Sequence, residues 1–137
     1  MTLKQCSILV VDDEEVVRDV LTRMLTKQGW MVVTAASGAE ALESLRRGPF
    51  DLVFLDFRMP GMNCRSVLRE MRTSWPGLPI ILITGAPEAE VLCQVGDLLP
   101  PIVIRKSFAS EEVIEAVRRT LCPGSTLQSG CAADPSA

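Results

Sequence analysis

Asp12-Asp13, Asp56, Thr84 and Lys106 each stand at the C-terminal end of a short apolar run, and together these residue types can accept a phosphoryl group. The runs are Ile8 to Val11, Leu52 to Leu55, Ile80 to Ile83 and Ile102 to Ile104; a fifth, Met31 to Ala35, ends on no acid or base. In an open parallel sheet the strand C-termini share one edge, so these side chains converge if the first strand lies beside the third. Three carboxylates in one crevice repel: a pair about 4 Å apart costs on the order of 4 kcal/mol at an effective dielectric of about 20. Two cations could offset that, a hard divalent ion such as Mg2+, which favours carboxylate oxygens, and the ammonium of Lys106. With the charge neutralised, one carboxylate can attack phosphorus while positioning supplies most of the remaining catalysis. Asp56 is the expected nucleophile, because it ends the central strand and precedes the tight turn Phe57-Arg58-Met59-Pro60-Gly61-Met62. Thr84, just before Gly85, would offer its hydroxyl to a phosphoryl oxygen and so register whether the group is present.

Helical periodicity fills the gaps between the runs. Val16, Val17, Val20, Leu21, Met24 and Leu25 recur at three- and four-residue spacing and stop near Gly29. Ser37 with Glu40 makes a capping box for a second helix through Ala41, Leu42 and Leu45, ended by Gly48-Pro49. Val67, Leu68 and Met71 mark a third, closed by Trp75-Pro76-Gly77, and Val91, Leu92 and Val95 a short fourth before Gly96 and Pro100-Pro101. Ser110 is expected to cap a fifth, with Glu111 and Glu112 in its first turn, running through Val113, Ile114 and Val117 to Leu121. Strict alternation of strands and helices implies right-handed crossovers and a parallel sheet covered on both faces, which explains strand runs that are apolar throughout. The expected fold is α/β, a doubly wound (βα)5 three-layer sandwich forming one domain over 5–121. Cys122 to Ala137, poor in charge and rich in turn formers, reads as a disordered tail.

Composition narrows the function classes. With 137 residues, 47% of them hydrophobic, the chain is of ordinary single-domain size. Fourteen basic against seventeen acidic residues, with no dense run of Lys or Arg, argue against direct nucleic-acid binding. Apolar stretches are too short to span a membrane and the N-terminus lacks a signal-peptide core, so the expected setting is cytoplasmic. Cys6, Cys64, Cys93, Cys122 and Cys131 form no C-x-x-C pair, and no histidine is present to complete a zinc site or a nucleophile-base pair. Chemistry must run on carboxylates, hydroxyls, lysine and a borrowed metal.

Four segments in combination resemble the receiver domain of two-component response regulators: Ile-Leu-Val-Val-Asp-Asp-Glu at 8–14, Leu-Asp-Phe-Arg-Met-Pro-Gly-Met at 55–62, Ile-Thr-Gly at 83–85 and Arg-Lys-Ser-Phe at 105–108. The resemblance implies a flavodoxin-like strand order 2-1-3-4-5 and phosphorylation of Asp56 by a histidine kinase or histidine phosphotransfer protein. It implies Mg2+ held directly by Asp13 and Asp56, through water by Asp12, and by the backbone carbonyl of Arg58. Thr84 and Lys106 would contact the phosphoryl group, and dimerisation through the fourth and fifth helices is a further suggestion of the family. Three positions and one segment depart from its pattern. Ser107 replaces the usual proline after the lysine, which suggests a looser loop. Cys64 replaces a glycine and reads as a packed apolar residue, and Val103 replaces the aromatic switch. Residues 96–101 replace the usual approach to the fifth strand. Arg58 and Ala86 lie where the family tunes phosphoryl lifetime, Arg58 either shielding the group or standing solvated.

The leading expectation is a phosphorylation-controlled signalling module acting on a downstream protein by contact, with no catalysis beyond its own phosphorylation and dephosphorylation and no output domain after Leu121. A stand-alone regulator, a relay and a receiver cut from a hybrid kinase all fit. A phosphatase or phosphotransferase of the haloacid dehalogenase type also uses Asp, Thr, Lys and Mg2+, but wants an Asp-x-Asp nucleophile on the first strand and a lid insertion, which this chain lacks. A constitutive interaction module that is never phosphorylated is the remaining alternative, favoured by Val103 and Ser107.

Overall fold

The structure is a computed structural model and describes residues 6–58, 63–98, 100 and 102–121. It divides into two units, Met1–Ser107 and Phe108–Ala137. In the first, strands and helices alternate: β1 (Ser7–Val11), α1 (Glu15–Lys27), β2 (Met31–Ala35), α2 (Gly38–Arg47), β3 (Leu52–Asp56), α3 (Cys64–Ser74), β4 (Ile80–Thr84), α4 (Glu88–Val95), a 3-10 turn (Gly96–Leu98) and β5 (Ile102–Arg105). All strand pairs are parallel, in the order β2-β1-β3-β4-β5. The chain therefore switches direction between β1 and β3, which opens a crevice at their C-terminal ends.

Residue alternation sends the strands' side chains to two covered faces. Leu9, Val11, Val53, Leu55 and Leu82 join Leu42 and Leu45 of α2, Val67, Leu68 and Met71 of α3, and Val91 and Val95 of α4 in one apolar cluster. On the other face Ile8, Val10, Leu52, Phe54, Ile81 and Ile83 are equally buried, and α1 lies against β1 and β2 with Leu21 and Leu25 inward. The expected burial of every strand on both faces holds for β3 and β4, and for β1 apart from half-buried Ser7, but not at the edges. Met31 and Val33 of β2 are 49% and 42% exposed, as β2 stands at the edge of the sheet with a strand neighbour on one side only. The predicted apolar stripe of α1 is likewise narrower: Val16 is 73% exposed and Val20 38%.

Local signals set the helix ends. Ser37 Oγ accepts the Glu40 N–H at 3.1 Å and the Glu40 carboxylate accepts the Ala36 N–H at 2.9 Å, so the predicted capping box forms. Gly29 takes φ 94°, where a side chain would be strained, and ends α1. In the second unit α5 (Ser110–Leu121) buries Val113, Ala116 and Val117. Glu112 and Val113 donate to the Ala109 carbonyl, so Ala109 holds the cap position predicted for Ser110, which opens the first turn instead. The predicted tail, residues 122–137, and Met59 to Met62 of the turn after Asp56 lie outside the described residues.

Candidate functional site

Three backbone hydrogen bonds beyond the strand ends hold the crevice. Asp12 N–H donates to Ala35 O at 3.1 Å, Phe57 N–H to Ile83 O at 2.9 Å, and Lys106 N–H to Thr84 O at 2.8 Å. They fix the main chain of the predicted residues just where the sheet gives way to loops. Asp12, Asp56 and Thr84 are 1%, 2% and 0% exposed, the buried polar or charged residues among those described, while Asp13 faces solvent. Carboxylate oxygens of Asp12, Asp13 and Asp56 all lie within 4.8 Å of one another.

Lys106 supplies the balancing charge. Its Nζ lies 3.4 Å from Asp12 Oδ2, 3.5 Å from Asp56 Oδ1 and 3.2 Å from Glu14 Oε1. Burial, reinforced by the charge of Asp12, pushes the Asp56 carboxyl up to about 7; burial also raises Asp12, against the pull of the Glu14 N–H and Lys106. Burial by itself would lower the Lys106 ammonium, but Asp56, Asp12 and Glu14 outweigh it and leave it raised. Asp12 Oδ1 accepts the Glu14 N–H at 2.9 Å, whereas its buried Oδ2 has no hydrogen-bond partner. A buried carboxylate oxygen that has no hydrogen bond and only the 3.4 Å ion pair with Lys106, within reach of two further carboxylates, suits a hard cation with oxygen ligands, and Mg2+ fits that donor set.

Thr84 Oγ1 accepts the Ala86 N–H at 2.8 Å, which aims the hydroxyl while leaving its proton to donate. Arg58 N–H points at Asp56 Oδ1 from 3.4 Å, and its guanidinium, largely exposed, pairs with Glu90 of α4. Cys64 is buried at the start of α3, and burial, with the charge of Asp56, pushes its thiol up to about 12, in keeping with an inert packed residue. Val103 is half-buried and, with Glu88, Val91, Leu92 and Arg105, lines a cavity of about 410 Å3 between α4 and β5. Ser107 adopts φ 63°, a left-handed conformation that a proline could not share.

The sequence assigned no role to two partners in this arrangement. Glu14, adjacent to the acidic pair, holds Lys106 instead of capping α1, and Arg18 Nη1 donates to the Asp12 carbonyl at 2.7 Å. The signal for Glu14 was present as a third acid beginning the first helix; for Arg18 it was only a helical arginine six residues on.

Comparison with known proteins agrees with this geometry. The pattern of the family described as response regulator receiver domain matches residues 8–118. A transcriptional regulatory protein, TcrX of Mycobacterium tuberculosis, is 35% identical over 84% of this chain, which spans about half (49%) of that regulator's length. Sporulation initiation phosphotransferase F of Bacillus subtilis is 30% identical over 83% of this chain and 92% of its own. The response regulator TrrA of Thermotoga maritima, solved in complex with Mg2+ and beryllofluoride, is 34% identical with a TM-score of 0.78, covering 85% of this chain and all (100%) of that one. Among the described residues no helix is long and apolar enough to cross a membrane. The chain belongs to the family of response regulator receiver domains of two-component signal transduction.

Proposed function

We propose that this chain is a phosphoacceptor in a two-component relay: Asp56 takes a phosphoryl group from a phosphohistidine on a histidine kinase or phosphotransfer protein, and the modified state selects a different downstream protein. One observation carries the reading. Asp12 and Asp56 are buried together beside the Lys106 ammonium, an arrangement that costs stability and that a structural ion pair does not require. The phosphotransferase and the beryllofluoride-bound regulator among the relatives support it.

In the forward step an Asp56 oxygen forms a bond to phosphorus as the bond to the donor's imidazole nitrogen breaks, and the imidazole, protonated on its other ring nitrogen, leaves as the neutral ring. Lys106 Nζ gives an N–H to a phosphoryl oxygen and Thr84 its hydroxyl proton to another, so both groups change partners when the phosphoryl arrives. When bound by Asp12, Asp13, Asp56 and the Arg58 carbonyl, Mg2+ supplies the positive charge that keeps the carboxylates ionised and neutralises the transferring group. In the separate step that ends the signal, water attacks phosphorus as its bond to the Asp56 oxygen breaks, and the carboxylate, inorganic phosphate and a proton are released. The near-doubled negative charge at Asp56 then biases a two-state equilibrium of the neighbouring segments.

Intact mass after incubation with a small-molecule phosphodonor tests this. Wild type gains one phosphoryl adduct only with Mg2+ present, and Asp56→Asn gains none while keeping its circular dichroism. Val103 in place of an aromatic favours one other reading, a constitutive interaction module; a folded wild type with no adduct would establish that instead.

A further inference from the structure

Two arginines that follow the phosphoacceptor tie down the two ends of α4. At the C-terminal end Arg65 Nη1 donates to the Val95 carbonyl at 3.3 Å and to Asp97 Oδ1 at 3.0 Å, a double attachment that also holds the Asp97 carboxyl below the usual range. At the N-terminal end the attachment is one exposed ion pair, Arg58 Nη2 with Glu90 Oε1. Among the described residues no other side-chain ion pair supports this end: Pro87 is the cap and makes no side-chain cap bond, and the helix has only eight residues. Arg58 is two residues from Asp56, and its own N–H lies 3.4 Å from Asp56 Oδ1, so the root of its side chain stands beside the reacting carboxylate.

We infer that Arg58 is the residue that reports the state of Asp56 to α4, by exchanging Glu90 for the phosphoryl group. This rests on the phosphoacceptor reading and assigns its means of regulation. A phosphoryl group carries nearly two negative charges and offers a planar guanidinium a bidentate partner, against the single carboxylate of Glu90. The exchange frees the first turn of α4 while Arg65 keeps hold of the last, so the helix is released at one end and pivots on the other. The device needs no aromatic at Val103, and the cavity of about 410 Å3 beside Val91, Leu92 and Val103 gives the freed turn room to move. Because coupling is reciprocal, removing Glu90 should favour the phosphoryl state just as the phosphoryl group disfavours the pair.

The test uses the full chain with Mg2+ and beryllofluoride as the phosphoryl probe, reading probe affinity and amide hydrogen exchange along α4. In wild type, probe binding should speed exchange in the first turn of α4 and leave the last turn unchanged. Glu90→Gln should show the fast first-turn exchange without probe and bind the probe about two- to five-fold tighter, the scale of an exposed ion pair. Arg58→Gln should show the same fast exchange yet bind the probe more weakly. That opposition of sign separates a reporting role from a structural one, which would move both variants the same way. Unchanged α4 exchange in wild type, or equal affinities in wild type and Glu90→Gln, would overturn the inference and leave the phosphoacceptor reading standing. A wild type that does not bind the probe at all would remove both.

Discussion

The two halves of the sheet carry out different tasks with different materials. The β1–β3 half places Asp12 and Asp56 at the ends of strands whose neighbouring residues are fully buried, and holds their backbones with sheet hydrogen bonds. The β4–α4–β5 half has half-buried Val103, a cavity, a strained Ser107 and helix ends held by surface arginines. Rigid burial suits a reaction, since a desolvated carboxylate pair must be held where it is electrostatically unfavourable. Loose attachment suits a readout, because a segment can be moved by a modification only if its resting contacts are worth about as much as the modification offers. The difference teaches where stability is concentrated: in the half that must not move.

Lys106 joins the two halves, and its removal should give the largest effect. It directly follows β5 yet neutralises Asp12, Asp56 and Glu14. Lys106→Ala should lower the rate of phosphoryl uptake from a small donor by about 10²–10³-fold, the scale of one lost electrostatic stabiliser. Arg105→Ala, the exposed neighbouring cation, should leave the rate within about twofold. Equal rates for Lys106→Ala and wild type would mean that the reacting half is self-sufficient.

Metal-free stability should next expose the strain in the reacting half. Asp56 is raised from an ordinary carboxyl value of 3.8 to about 7, so the folded state holds its proton more tightly than the unfolded chain. The contribution of Asp56 to stability is then fullest below pH 4, declines as pH rises through the interval from about 4 to 7, and is flat above it. Since Asp12 shares the same burial, the decline is on the order of 2–3 kcal/mol rather than the whole of the nominal shift. Urea titrations at several pH values check this. Mg2+ should restore stability at pH 7.5 and do little at pH 4, and Asp56→Asn should flatten most of the slope. A metal-free stability that rose over this interval would reverse the assignment of strain.

The reacting half was the legible one. Asp12, Asp56, Thr84 and Lys106 could be placed because a charged or hydroxyl residue ending an apolar run has one position in a parallel sheet, and Ser37 with Glu40 because a capping box is complete within four residues. Glu14 on Lys106 and Arg58 on Glu90 could not, since partners 92 and 32 residues apart meet through side-chain conformations that periodicity does not encode. Val16 and Val20 share the spacing of Leu21 and Leu25, and spacing alone does not tell which side of a helix stripe runs out past the sheet. Ser110 was one residue from the true cap because helix starts with several polar residues in a row offer competing first turns.

The smallest effect lies at Ser107, where the readout half stores backbone strain. A non-glycine residue at φ 63° costs about 1–2 kcal/mol, because its Cβ crowds the following carbonyl. Ser107→Gly removes that crowding but gives back about 0.5–1 kcal/mol in unfolded-chain entropy, so the net gain should be about 0.5 kcal/mol in urea unfolding. Ser107→Val has the opposite sign, a loss of about 1 kcal/mol, because a branched Cβ is worse tolerated there than serine. Both changes lie beside Lys106 and touch none of its partners, so phosphoryl uptake should stay within about twofold in each. A gain with glycine and a loss with valine, at constant uptake, would place the strain in the loop and keep it apart from the chemistry. If uptake instead followed stability, the strained turn would be part of what aims the ammonium, and the boundary between the two halves would pass beyond Ser107.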